Sequence, residues 1–326
     1  MNTVWTMVRK IQQKGGGPGI QHLRDGDRLL TMPDEIAKKL ADAFEHNSSS
    51  NNCQPGFLPV KNREEQKRLN FKSQNREDYN RVFTLEELRL SLRKSHNTAV
   101  GPDKIHYEFL KNLPEGVQEL LLEQFNKIWA SGEFPSSWKE ATIIPIPKAG
   151  KDHSESNNYR PIALTSCLCK TMERMINDRL VWILELEGHI STFQCGFRRG
   201  RSTLDHLVRL ESHVRDAFIH KEHAIAIFFD LEKAYDTTWK HGIMRDLFDM
   251  GFRGRLPLFI SAFLSNRRFR MRLGLTLSNL HRQELGVPQG SILSVMLFSI
   301  KINSIMNMIQ KDVACCLYVD DLLIYS

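Results

Sequence analysis

The chain has 326 residues, 41% of them hydrophobic and 25% charged, with a formal net charge of +7 at pH 7. This composition is that of a soluble globular protein with a substantial core, in one large or two modest domains, and its basic balance favours a polyanionic partner without requiring one. No stretch reaches the roughly 18 apolar residues of a membrane span and residues 1–14 hold no signal-peptide run, so no membrane partner is expected and the location is intracellular, nucleus or cytoplasm. The six cysteines, Cys53, Cys167, Cys169, Cys195, Cys315 and Cys316, form no CxxC pair and no Cys/His set with zinc spacing, and read as reduced thiols.

In chain order, residues 1–14 set Val4, Trp5, Val8 and Ile11 against Arg9, Lys10 and Lys14, which predicts an amphipathic basic helix ended by Gly15-Gly16-Gly17-Pro18-Gly19. A second helix is predicted from Pro33, with Asp34 and Glu35 in its first turn and Ile36, Ala37, Leu40, Ala41 and Phe44 on one face. Residues 47–80 are polar and aperiodic and read as a flexible linker. Thr84 with Glu87 three residues on is a capping box, opening a helix through Leu88 and Leu92. Further helices are predicted over 104–112 and 115–131, the latter giving Leu120, Leu121, Phe125, Ile128 and Trp129 to the core.

Ala141 to Lys148 is β-branched and alternating, hence a strand, and Pro145 and Pro147 confine it to a sheet edge. Residues 159–164 are its hairpin partner. Lys148, Lys151 and Arg160 flank the intervening loop and offer the charge-assisted donors that a triphosphate needs, with solvated hairpin cations as the competing account. A helix over 167–187 is followed by the basic, Gly-punctuated turn 194–203, which opens a helix over 204–218. Arg198, Arg199 and Arg201 in that turn could track a nucleic-acid backbone or form a solvated charge run.

Ala224 to Phe229 is a continuous apolar run ending on Asp230, as in a strand buried on both faces whose last residue emerges at the sheet end. Helices over 233–250 and 256–264 precede a strand over 267–272. Its alternation puts Arg268, Arg270 and Arg272 on one face, for phosphate contact or to protect an edge. Gly286-Val287-Pro288-Gln289-Gly290-Ser291 is a loop entering an apolar helix, with glycines that permit close backbone approach and free N–H groups at the helix start.

Leu317 to Tyr325 reads as two short strands joined by a tight turn with Asp320 and Asp321 at the tip. Two adjacent carboxylates repel and lose water together, which calls for a cation. A strand-borne cluster completed by Asp230 could hold two Mg²⁺ at roughly 3.5 to 4 Å for in-line phosphoryl displacement; a solvated hairpin tip is the bland alternative. The order of elements predicts an α+β fold whose sheet is antiparallel with helices on one face.

The blocks Phe229-Asp230-Leu231-Glu232-Lys233-Ala234-Tyr235-Asp236, Gly286 to Ser291 and Tyr318-Val319-Asp320-Asp321, in that order, resemble the catalytic blocks of reverse transcriptases. Ile146-Pro147-Lys148, Asn158 to Ile162 and Gln194-Cys195-Gly196-Phe197-Arg198 are similar to the finger blocks of the non-LTR, LINE-type retrotransposon branch, Jockey-like or I-like. The resemblance implies a right-hand polymerase with an N-terminal extension over 1–46, the linker over 47–80, fingers over 81–223 and an incomplete palm over 224–326. It also implies RNA-directed DNA synthesis from deoxynucleoside triphosphates on template RNA and a DNA primer or target, with two Mg²⁺ ions for which Mn²⁺ substitutes.

By the same resemblance Asp230, Asp320 and Asp321 are catalytic and bind metal, with Leu231 among the metal and nucleotide contacts. Tyr235 lies under the sugar, Lys148 and Arg160 meet the triphosphate, and Gln289 and Gly290 border the nucleotide and template. Arg198, Arg199, Arg201, Arg268 and Arg270 are assigned to nucleic acid, and Asp236 to capping the following helix. Residues 294–303 depart from the Gly-Pro and Tyr-Ile-Asn-Asp of many relatives. Because the sequence ends at Ser326, the expectation is a chain without a thumb, with weak or no processive synthesis. A catalytically silent nucleic-acid-binding remnant and an intron-maturase-like polymerase stay open as alternatives.

Overall fold

A computed structural model describes residues 20–309 and 313–326, so the helix expected at 1–14 lies outside the described residues. A small hairpin, β1 (Leu23–Asp25) and β2 (Arg28–Leu30), leads into α1 (Pro33–Asn47). The predicted apolar face of α1 is buried, and Ile36, Leu40 and Phe44 pack with Ala141, Ile143, Phe269 and Met271 of a sheet far along the chain. At roughly 1.5–3 kcal/mol per buried large aliphatic or aromatic side chain, this face alone accounts for the docking of α1 on that sheet.

The segment 47–80 is not the structureless linker its polarity suggests. It holds α2 (Leu58–Glu65), and its polar side chains bond inward: fully buried Asn80 donates to Arg253 O at 2.8 Å and accepts from Leu256 N at 2.9 Å. Aperiodic polarity cannot distinguish a solvated loop from one anchored by long-range hydrogen bonds. Next come α3 (Leu85–Arg93), α4 (Tyr107–Lys111) and α5 (Glu115–Ser131). The capping box forms as expected, with Glu87 N donating to Thr84 Oγ1 at 3.3 Å and Thr84 N to Glu87 Oε2 at 2.8 Å. Phe125 and Trp129 enter the core, whereas Leu120 is 59% exposed.

Strands β3 (Glu140–Pro147) and β4 (Tyr159–Leu164) make the predicted antiparallel hairpin, Ile144 opposite Ile162. Then follow α6 (Cys167–Leu186), α7 (Thr203–His220), β5 (Ala226–Phe229), α8 (Ala234–Thr237), α9 (Lys240–Asp249), α10 (Arg255–Leu264) and β6 (Arg267–Leu273). The single helix expected over 233–250 is thus two. The break falls at Thr238, whose carbonyl accepts from Gly286 N at 2.8 Å rather than continuing a helical ladder. Short strands β7 (Thr276–Leu277) and β8 (His281–Gln283) precede α11 (Ile292–Asn303), and β9 (Ala314–Tyr318) and β10 (Asp321–Tyr325) close the chain.

The strands form two larger sheets. One has the order β4-β3-β6-β7, with β8 also on β6 and with β3 and β6 parallel. β3 is therefore internal, not the edge its prolines suggest: β6 pairs only with Glu140 to Ile143, which leaves Pro145 and Pro147 beyond the stretch where a donor is needed. The other sheet is antiparallel, in the order β5-β10-β9. β5 is its outer strand, and Ile227, Phe228 and Phe229 are 52%, 74% and 43% exposed, so the expectation of a strand buried on both faces does not hold among the described residues. Helices α3, α5, α6 and α9 to α11 share the main core, with Leu88, Phe125, Trp129, Met172, Ile176, Phe259 and Leu293 at its centre. The fold is α+β, and no helix among the described residues is long and apolar enough to cross a membrane.

Candidate active site

The register of the antiparallel sheet assembles three carboxylates. Leu322 pairs with Phe229 in the last rung of the β5–β10 ladder, Asp321 and Asp230 are the neighbouring residues just beyond that rung, and Asp321 faces Tyr318 across the hairpin. Asp320 is the second residue of the two-residue turn. Burial, seconded by the like charges of Asp321 and Asp230 and opposed by a main-chain hydrogen bond, raises its carboxyl above the usual aspartate range. No ion pair to Asp230, Asp320 or Asp321 forms among the described residues. The three do not draw as close as Asp42, Glu45 and His281, whose ligand atoms all lie within 4.8 Å of one another. There Glu45 instead ties α1 to β8, accepting from His281 Nδ1 at 2.8 Å and Arg282 N at 2.9 Å.

The turn that carries Asp320 is strained and held. Val319 occupies its first position with φ +62°, a region that β-branched residues rarely enter, at a cost of about 1–3 kcal/mol. The fully buried side-chain amide of Gln194 brackets this residue. Its Oε1 accepts from Val319 N at 3.2 Å and Gly196 N at 2.7 Å, and its Nε2 donates to Val319 O at 3.4 Å. At roughly 0.5–1.5 kcal/mol net for each buried hydrogen bond, the bracket is of the size needed to offset the strain. The chain beside Gln194 extends the sheet, Cys195 N donating to Leu317 O at 3.0 Å and Leu317 N to Phe193 O at 3.0 Å.

Around the carboxylates lie the other expected residues. Tyr235 stacks on Phe298 with ring centroids 4.6 Å apart, and burial, with the nearby Asp320 charge, pushes its hydroxyl up to about 12. Leu231, next to Asp230 in the sequence, is half-buried. Asp236 does not cap the following helix; it accepts from Gln289 Nε2 at 3.1 Å, and burial pushes its carboxyl up to about 6 against the pull of that bond, Lys233 and Lys148. The loop around Gln289 is fixed from both sides, Val287 N donating to Tyr235 O at 2.8 Å and Ala163 N to Gln289 O at 2.7 Å. Gly290, with φ +117°, needs to be glycine, because a Cβ there would lie 2.7 Å from Ala163 O.

Lys148, Lys151 and Arg160 sit around the β3–β4 loop, Lys151 and Arg160 exposed and Lys148 donating to Asn157 O at 3.1 Å. Lys233, just before α8, ties this loop to the end of α1 by donating to Asn157 Oδ1 at 3.2 Å and Asn47 Oδ1 at 3.0 Å. Of the basic turn, Arg199 and Arg201 are exposed, but Arg198 is turned inward. It pairs with both carboxylate oxygens of Glu185 and donates to Ser191 O at 2.7 Å and Gln194 O at 3.1 Å, so in this structure its donors are engaged within the chain. On β6 the alternation is as expected, with Arg268, Arg270 and Arg272 exposed; Arg268 pairs with Glu140 and Arg270 donates to Ser278 O at 3.2 Å.

Glu173 was not anticipated. Fully buried on α6, it accepts from the Ser291 hydroxyl, from Ile292 N at 2.9 Å and from Leu293 N at 3.2 Å, capping α11 in place of a local residue.

The model of the family described as "Reverse transcriptase (RNA-dependent DNA polymerase)" matches residues 146–326. The chain is 32% identical over 247 residues to the RNA-directed DNA polymerase from mobile element jockey of Drosophila melanogaster, covering 74% of this chain and 27% of that protein. It is 36% identical over 214 residues to the probable RNA-directed DNA polymerase from transposon BS, and 34% over 217 residues to that from transposon X-element, both of Drosophila melanogaster. Each of these two alignments covers 65% of this chain and 23% of the relative. The chain thus spans about a quarter of the length of the curated relatives it matches.

Proposed function

We propose, for a chain that belongs to the reverse transcriptase family, that Asp230, Asp320 and Asp321 form the catalytic centre of a non-LTR retrotransposon RNA-directed DNA polymerase domain. The observation that supports this reading is the β5–β10 register, whose last rung, Leu322 with Phe229, leaves Asp321 and Asp230 as the next residues of the two strands, close enough that both charges act on Asp320, with no ion pair to any of the three among the described residues. On this reading the antiparallel sheet belongs to the palm and the β3–β4 hairpin to the fingers. The donor set fits hard divalent cations, since it is all oxygen, carries concentrated negative charge and leaves Asp230 and Asp321 exposed. Mg²⁺ or Mn²⁺ bound there would supply the Lewis acidity that favours ionisation of a primer 3′-hydroxyl and steadies departing pyrophosphate.

The remaining groups position the reactants. The Tyr235 ring, immobilised on Phe298, is a flat wall for the sugar of an incoming deoxynucleotide, and Leu231 contributes to the same floor. Lys148, Lys151 and Arg160 neutralise triphosphate oxygens from the β3–β4 loop. Gln289, held by Asp236, and Gly290 border the new base pair, where the absent Cβ permits close approach. Exposed Arg199, Arg201, Arg268 and Arg270 meet the phosphates of template RNA and primer DNA, while base pairing carries sequence information. Single-nucleotide addition to a DNA primer on an RNA template, compared between the wild-type chain and Asp320→Asn, tests the proposal.

A further inference from the structure

Gln194 touches none of the three carboxylates, yet it contacts the turn that carries one of them on both sides of a single residue. Its Oε1 and Nε2 engage Val319 N and Val319 O, so one planar amide fixes two successive peptide groups, including the one joining Val319 to Asp320. Gly196 completes the seat: a Cβ there would lie 2.6 Å from Val319 N and 2.7 Å from Val319 Cγ2, so only glycine lets this strand approach so near. A third anchor is His206, whose Nε2 donates to Leu317 O at 3.0 Å. The same carbonyl accepts from Cys195 N, which ties β9 to the 193–196 segment just before the turn. Val319 is thus kept at φ +62° by groups lying more than a hundred residues earlier in the chain.

We propose that Gln194 is a positioning residue for the catalytic centre. By clamping the Val319 peptides it sets the direction in which Asp320 and Asp321 leave the turn, and hence their spacing from Asp230. The inference rests on the reading of these aspartates as a divalent-cation site and adds the device that shapes it. A turn free to relax would let Val319 return to negative φ, rotating the Val319–Asp320 peptide and with it the Asp320 carboxylate. An amide serves where a carboxylate or an apolar side chain would not, because one N–H and one C=O must be met at once. Second-layer partners that orient the ligands of a metal commonly alter affinity by about 10–100-fold when removed.

The test is Mn²⁺ titration of the full chain followed by electron paramagnetic resonance, with thermal unfolding recorded for each variant. Wild type should bind Mn²⁺ at a site abolished by Asp320→Asn; Gln194→Met should weaken that site by about tenfold. Val319→Gly placed in the Gln194→Met background should recover much of the loss, because glycine takes positive φ without a clamp. A role confined to general stability would lower the unfolding temperature without this recovery. Mn²⁺ binding indifferent to Asp320→Asn would overturn the reading of the aspartates, and this inference with it. Binding lost in Asp320→Asn but unchanged in Gln194→Met would overturn the inference alone. Should Gln194→Met not fold, amide hydrogen exchange in the wild-type chain decides: the Val319 and Gly196 N–H groups should be protected although one lies in a hairpin turn, and exchange of both at the rate of a free turn would overturn the proposal.

Discussion

Glu173 receives the hydroxyl of Ser291 from across the core, 118 residues away in the chain, and it also accepts from the first N–H groups of α11 and from the Cys169 thiol. One buried carboxylate therefore holds the end of the loop that carries Gln289 and Gly290. These donors satisfy its buried oxygens, so the cost of burial is offset only while all remain in place.

Removing it should show in stability. Glu173→Ala leaves a buried hydroxyl and two N–H groups without an acceptor and is expected to cost about 3 kcal/mol. Glu173→Gln, which keeps one acceptor, should cost less. Urea unfolding of the two variants checks this, and a loss below about 0.5 kcal/mol for Glu173→Ala would show that the cap is dispensable.

Asp236 gives a pH dependence of definite sign. Its carboxyl is pushed up to about 6 by burial, so the folded chain holds this proton more tightly than the unfolded chain does. Well below pH 4 both states are protonated and the group contributes nothing; as pH rises from about 4 to 6 the unfolded chain releases this proton while the folded chain still holds it, so stability falls and levels off above pH 6. Asp236→Asn keeps an acceptor for Gln289 and should be more stable than wild type above pH 6, by on the order of 1–3 kcal/mol. The gap should close as pH falls to 4. Chemical denaturation at pH 4, 5, 6 and 7 measures it, and a gap that widens on acidification would reverse the assignment.

The three arginines of the 198–201 turn should separate by experiment. Arg199→Ala and Arg201→Ala are expected to lower RNA affinity and to reduce the salt slope by about one unit each, with little change in stability. Arg198→Ala should instead cost about 1–3 kcal/mol of stability, because Glu185 and two carbonyls lose their partner. Filter binding across a salt series, with denaturation in parallel, makes the comparison. Equal effects of Arg198→Ala and Arg199→Ala on the salt slope would place Arg198 back at the surface.

The legibility of the molecule follows the range of its interactions. The strands that end at Asp230 and at the Asp320-Asp321 turn are legible because each is an apolar run, and both belong to one sheet. The Thr84–Glu87 box and the β3–β4 hairpin are local and were equally readable. Glu173 and the anchored 47–80 segment were not, since their partners lie far along the chain and leave no periodic trace. Arg198 shows the limit of charge as a signal: a run of arginines does not reveal which one points inward. The prolines of β3 misled for a similar reason, because edge and interior depend on how far the neighbouring strand extends.

The most direct measurement is single-nucleotide addition to a DNA primer annealed to an RNA template, with Mg²⁺, for the wild-type chain and for Asp230→Asn, Asp320→Asn and Asp321→Asn. The account predicts addition by wild type and a fall of at least about a hundredfold in each variant, with folding intact. Absence of addition by wild type, or near-wild-type addition by Asp320→Asn, would contradict it.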